Sequence, residues 1–227
     1  MQRGMARGEP RLPAAVAVLL AVVLYALLPE RLLLGPRVVV PALEITLFVP
    51  LLAANPRRMT RESRNLRRLA ISLVLLIALV NAVALVLLVG QLVTGRASEG
   101  PSLLLAAGQV WVTNILIFAL AYWELDRGGS VQRTHTLRPR LPAADFRFPQ
   151  DEDHDTIAEV RKRSSEKSGW VPGFLDYLYV SITNSSAFSP TDTMPLSPRA
   201  KMLMATQSVS ALVLSVLVIS RGISLLK

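Results

Sequence analysis

The sequence predicts an all-α integral membrane protein with five transmembrane helices and one short re-entrant helix, and three observations carry that class. Of 227 residues, 52% are hydrophobic and only 18% charged, with a mean hydropathy of +0.43, outside the balance of a soluble domain. Four long apolar runs contain no charge, and a fifth contains one carboxylate. Ahead of the last run lies a stretch, 170–201, too polar to span and too apolar to be a plain loop.

A spanning helix needs about 20 mostly apolar residues, because lipid offers no partner to a backbone N–H or C=O. The first run, 12–29, follows Arg3, Arg7 and Arg11 as a cleaved leader would, but no small-x-small cleavage pattern follows Leu27-Leu28-Pro29-Glu30, so it reads as a retained helix. The second, 38–55, carries Pro41, Pro50 and Glu44 and predicts a bent or partly unwound span. Runs 69–95 and 100–123 are uncharged, and 202–220 lies between Lys201 and Arg221. The loop 55–68 holds Arg57, Arg58, Arg61, Arg64, Arg67 and Arg68 against Glu62 alone, and basic flanks resist translocation. With the three arginines of the N-terminal tail, this predicts a multi-pass protein of the cell membrane with a cytoplasmic N-terminus.

Three regions follow: a four-helix transmembrane region (1–123), a polar, partly disordered cytoplasmic loop (124–169), and a module of re-entrant helix, turn and last span (170–227). Within the loop, Asp151, Glu152, Asp153 and Asp155 surround His154. They read as a solvated turn ahead of a surface helix at 156–167, where Glu159 and Arg163 pair at i,i+4.

Composition excludes several classes of function. The chain has no Cys and two His, which removes disulfides, thiol chemistry and a multi-His metal centre. Its net charge of +9 comes from arginines between apolar runs rather than on one face, which argues against nucleic acid as a partner. No nucleophile, base and orienting group can be assembled from spacing, so no catalytic residue, metal or cofactor is expected. Glu44 is the one acidic residue inside a span. It reads either as a carboxylate reaching water or Arg37 near an interface, or as an intramembrane proton or cation site. Asn81, Gln109, Asn114 and Gln207 predict hydrogen bonds between helices, and Tyr122, Trp123 and Trp170 interfacial anchors.

The segment WVPGFLDYLYVSITNSSAFSPTDTMPLSPRAK carries the functional information. Pro172 suits a first turn, Asp176 complements the positive end of the helix dipole, and Phe174, Leu175, Leu178 and Ile182 form an apolar stripe. The helix, 174–186, would be about 20 Å long, two thirds of a bilayer core: it enters and does not cross. It ends in a polar cluster, Ser181, Thr183, Asn184, Ser185 and Ser186. The chain then turns back through Pro195, and Ser197-Pro198 start the last span.

Over about 50 residues this pattern resembles the pore loop and inner helix of two-transmembrane channels of the potassium-channel superfamily. Ala187-Phe188-Ser189-Pro190-Thr191-Asp192 falls on the filter without a gap, with Asp192 on its Asp, Pro195 on the following Pro, Ser197-Pro198 on the Thr-Pro pair and Lys201 on the basic residue. The whole chain also resembles a family of small polytopic bacterial inner-membrane proteins, through Asp-Tyr-Leu-Tyr and the Ser-Pro-Thr-Asp-Thr-Met-Pro run, which brings no activity with it. The departures are specific. Ser189, Pro190 and Thr191 replace Gly-Tyr-Gly, and Pro190 fixes its own φ, lacks an N–H and restricts Ser189, so a ladder of axial carbonyls is not expected. The arginine count also places the loop on the cytoplasmic side, the reverse of potassium channels and the sense of glutamate-gated ones.

The resemblance implies a homo-oligomer, a tetramer by analogy, with a pore for a monovalent cation of non-potassium selectivity. Thr183, Asn184, Ser186, Ser189, Pro190, Thr191 and Asp192 would line it. The alternatives are a non-conducting scaffold or accessory subunit, or a small secondary transporter using Glu44.

Overall fold

A computed structural model describes residues 8–94, 100–152, 158–186 and 192–225. In chain order its elements are β1 (Glu9–Pro10), α1 (Leu12–Ala26), α2 (Val39–Ala54), β2 (Arg58–Met59), α3 (Arg64–Thr94), α4 (Gly100–Leu125), α5 (Ser130–His135), β3 (Phe146–Arg147), α6 (Ala158–Arg161), α7 (Ser165–Ser168), α8 (Phe174–Ser186), β4 (Met194–Pro195) and α9 (Pro198–Leu225). The strands make two antiparallel ties, Glu9 opposite Met59 and Phe146 opposite Pro195.

Three helices are long and apolar enough to cross a membrane: Arg64–Thr94, Gly100–Gly128 and Pro198–Ile223. The runs expected at 12–29 and 38–55 form shorter apolar helices, of 15 and 16 residues. Pro29 and the 3₁₀ turn Glu30–Leu32 follow the end of α1, and Asn55 stops α2. The Asn55 amide bonds back to the loop, accepting from the Thr60 and Arg61 N–H groups (3.1 and 2.9 Å) and donating to Arg61 O (2.8 Å), which holds the turn into β2. Pro41 sits in the first turn of α2, where no intrahelical bond is lost, and Pro50 lies inside it.

Helix α4 is central, packing against α1, α3, α8 and α9. α1 turns Ala14, Ala17, Val18, Ala21 and Tyr25 inward at helical spacing while Leu12, Val16, Leu19 and Val23 stay exposed. α9 likewise exposes Met202, Val209, Val216 and Ile219. Apolar residues on both faces are expected of helices whose outer solvent is lipid.

The segment 124–169, expected as a partly disordered loop, is folded over its described residues into a cap on one end of the bundle. Phe146 and Phe148 are buried, and edge contacts run from Tyr122 to Phe146, from Phe146 to Tyr177 and from Phe148 to Tyr177 and Trp170. These aromatics supply the core that the loop's polar composition conceals. Two further expectations are corrected. Tyr122 and Trp123 are buried under the cap rather than at a lipid interface. The helix expected at 156–167 is broken into α6 and α7, because the Ser164 hydroxyl accepts from Lys167 N–H and caps a new turn. Asp153, His154 and Asp155 lie outside the described residues.

Candidate functional site

Helix α8 begins at the capped end. The Gly173 N–H donates to the Asp176 carboxylate at 2.7 Å, the acid expected in the first turn, and Phe174 N–H donates to Glu9 at 2.6 Å. Its other end is deep in the bundle: the Ser181 hydroxyl donates to Ile115 O of α4 at 2.7 Å, and the Asn184 amide to Met204 O of α9 at 3.0 Å. By Met194–Pro195 the chain is back beside Phe146–Arg147 of the cap, and Leu196 N–H donates to Asp145 O at 2.7 Å. Asp145 also takes the Ser197 hydroxyl and the Arg199 guanidinium, fixing the start of α9. The hairpin thus enters and leaves the bundle at one end.

What meets the polar end of α8 is Gln207 of α9, which is completely buried. Its Oε1 accepts from Tyr122 Oη (2.6 Å) and Asn184 Nδ2 (2.9 Å). Its Nε2 lies against Ser181 O (3.0 Å), Ser181 Oγ (2.6 Å) and Ser185 Oγ (2.7 Å). Ser208 Oγ completes the ring by donating to Asn184 Oδ1 at 2.9 Å, and Asn114 of α4 donates to Ser210 at 3.2 Å. One amide therefore joins α4, α8 and α9, and every polar side-chain atom of Gln207 has a partner.

The residues expected to line a pore are distributed unevenly. The hydroxyls of Thr183 and Ser186 return to the backbone of α8 itself, to Tyr179 O, Val180 O and Thr183 O. Asn184 is taken up by α9. Asp192 is exposed, and Ser189, Pro190 and Thr191 lie outside the described residues. Glu44 does not reach water or Arg37: it is 1% exposed, its Oε2 has no hydrogen-bond partner among the described residues, and Arg37 donates to Ala26 O instead. The cause is register. Val40, Glu44, Phe48 and Leu51 fall on the one stripe of α2 that packs inward.

A second buried polar cluster, which spacing did not reveal, holds the cap down. Both Glu9 oxygens accept the Trp123 indole N–H at 3.0 Å, and Glu9 lies 3.6 Å from the Arg133 guanidinium. Arg133, 1% exposed, donates to Trp123 O (2.6 Å) and Asp126 O (2.8 Å), the last carbonyls of α4 and the turn after it, and stacks over the Tyr177 ring. Asp126 accepts Tyr177 Oη at 2.5 Å and Asp145 N–H at 2.6 Å, tying α8 and the residue ahead of β3 to the same point. Burial raises the Glu9 carboxyl above its ordinary value, against the opposing pull of Arg133, Trp123 and the Phe174 amide. The local signal for this corner was Gly128-Gly129. Both have positive φ, and a Cβ on Gly129 would stand 2.9 Å from Arg67 Nη1.

Among the described residues no three His, Asp or Glu gather closely enough to hold a metal ion. No family model, curated protein or solved structure matches the chain. Fold and site together define a helical protein with three helices of membrane-crossing length and a short helix, α8, packed against two of them with Leu175, Tyr179 and Ile182 left exposed.

Proposed function

We propose that this chain is a multi-pass bacterial inner-membrane protein in which α4, α8 and α9 form a pore-loop unit, assembled as a homo-oligomer around a path for a monovalent cation. The observation that carries the reading is the dead end of α8. A helix of 13 residues stops beside Ile115 and Met204, inside the bundle, and the chain is back at its point of entry by Met194. A short helix that stops between two long apolar helices, with the chain back at the end it entered from, is the arrangement by which pore loops bring backbone to membrane depth.

The membrane part of the reading extends to five helices. α1 is followed by apolar Leu27 and Leu28, and α2, at 16 residues, falls just below the ordinary spanning length, a mismatch that local thinning of the bilayer can absorb. The arginines of β2 and the start of α3 share an end with the cap, since Arg67 donates to Gly128 O and Ser130 Oγ lies 3.3 Å from Met59 Sδ. That common end faces the cytoplasm on the arginine count.

The test is ion flux from liposomes holding the purified protein, with potassium, sodium and chloride gradients and the variants Asp192→Asn and Pro190→Gly. Asp192 is exposed and shows no hydrogen bond to the cap or to α9 among the described residues, whereas Asn184 is part of the fold and would confound the result. Cation flux altered by both variants is expected. Absence of flux under every gradient, with protein of native tryptophan fluorescence, overturns the pore. It would leave the second reading, a non-conducting scaffold, which the internal pairing of Asn184 with Gln207 favours.

A further inference from the structure

Away from the α8 hairpin, helices α1, α2, α3 and α4 leave a cleft of about 80 Å³ at the capped end. Its floor is apolar, with Ala14, Val18, Phe48 and Leu73 among the residues that form it. Its rim carries three cations, Arg11, Arg61 and Arg67, and two carboxylates, Glu62 and Glu124. Arg67 is already engaged by Glu62 (3.1 Å) and Gly128 O. The other two cations are less committed. Arg11 lies over the Phe48 ring and within the field of Glu124, yet its Nε is buried with no hydrogen-bond partner among the described residues. The Arg61 side chain is exposed at the mouth, while its backbone is pinned by Asn55.

We propose that this cleft is a binding site for an anionic phospholipid, with the phosphodiester held by Arg11 and Arg61 and the first methylenes on the apolar floor. Three lines of argument converge. The guanidinium fork matches a phosphate oxygen pair, and a buried N–H without an acceptor is stabilised by gaining one. The cleft has room for a phosphate and the first methylenes beside it, not for a whole headgroup. The remainder of the lipid would then run over exposed Leu12, Val16 and Leu75, the sequence neighbours of Arg11, Ala15 and Val74 in the cleft wall. Charge favours the same occupant, because Arg57, Arg58, Arg64 and Arg68 stand in the same short segment as Arg61 and Arg67 of the cleft, and such a basic segment attracts an anionic leaflet. The proposal rests on the membrane reading of these helices and not on the pore.

The experiment measures binding to the full chain in a neutral detergent by native mass spectrometry, with phosphatidylglycerol, phosphatidylcholine of the same acyl chains, and inorganic phosphate as probes. Arg11→Gln and Arg61→Gln are compared with Arg147→Gln, whose guanidinium pairs with Glu152 on the cap. Phosphatidylglycerol is expected to bind at least about fivefold more tightly than phosphatidylcholine, with about a fivefold loss in each of Arg11→Gln and Arg61→Gln and none in Arg147→Gln. Equal binding of the two lipids, or equal loss in all three variants, overturns the site. Inorganic phosphate displacing the lipid at similar concentration would make it a soluble-anion site and overturn the lipid assignment. Extraction of the expressed protein from membranes by alkaline carbonate would instead overturn the membrane reading, a separate result.

Discussion

Asn184 and Gln207 face each other across the α8–α9 interface with 2.9 Å between Nδ2 and Oε1, and the same oxygen takes the Tyr122 hydroxyl. A side chain expected at a pore wall is therefore one member of the ring that holds the hairpin in the bundle.

Gln207→Met is the measurement of that ring. Methionine keeps the volume and removes both polar atoms of the amide, leaving Tyr122 Oη, Ser181 and Ser185 short of a partner in a dry site. A loss of about 2 to 5 kcal/mol is expected, since each buried unsatisfied group costs about 1 to 3. Thermal unfolding in detergent should place Gln207→Met well below Asn114→Ala, whose single bond at 3.2 Å is the weakest link of the network. Equal shifts for the two would mean that packing, not hydrogen bonding, holds α8.

Much of the helical framework was legible because lipid imposes a crude rule, a long run without charge, and the helix expected at 174–186 is α8 with those bounds. The run at 38–55 is matched closely by α2, whereas α1 stops at Ala26, three residues short of Pro29, because the backbone already leaves the helix at Leu27 and Leu28, which apolar composition does not encode. The ties within the cap were not legible for a different reason. Glu9, Trp123, Asp126 and Arg133 are tied to one another and to Phe174 across up to 165 residues, and no local spacing encodes such ties. Glu44 shows the same limit: periodicity could have put it on the stripe of Val40, Phe48 and Leu51, yet a lone carboxylate invites an interfacial reading.

Arg133 is predicted to be the most sensitive position of the cap. Its guanidinium is fully enclosed by Glu9, two backbone carbonyls and the Tyr177 ring, so Arg133→Met leaves Glu9 buried beside nothing of opposite charge. Destabilisation of about 3 to 5 kcal/mol is expected for that broken pair. Limited proteolysis should then cut within 126–152, which the wild type protects.

Glu9 gives the site a pH dependence of known sign. Burial raises its pKa in the folded protein, so the native state holds the proton more firmly than the unfolded chain, and this contribution to stability declines as pH climbs through the raised value. The wild type should therefore lose stability relative to Glu9→Gln on going upward from the ordinary glutamate value. Unfolding midpoints of the two proteins at matched pH values measure it. A wild-type advantage that grows with pH would mean that Arg133 outweighs burial.

Replacing Glu44 by Leu is expected to preserve or raise stability, by up to about 3 kcal/mol. An enclosed carboxylate with one oxygen unpaired is costly, and a leucine of similar reach removes that cost. A marked fall in the unfolding midpoint of Glu44→Leu would instead point to a partner that the carboxylate holds in the membrane.

The return of the chain can be tested independently of conduction, because the sequence has no cysteine and introduced pairs are read without background. Arg147 and Met194 are cross-strand partners, both exposed, on the two short strands that join cap and hairpin. Opposed residues of an antiparallel pair stand close enough for a disulfide. Arg147→Cys with Met194→Cys should cross-link on mild oxidation in native membranes, and each single cysteine should be labelled by an impermeant thiol reagent from the side that labels Arg57→Cys. Labelling of Met194→Cys from the opposite side would make α8 and the stretch after it a full crossing, and the hairpin would have to be abandoned. Cross-linking together with same-side labelling would establish the re-entry whatever the flux assay returns, since the geometry of the hairpin precedes any pore built from it.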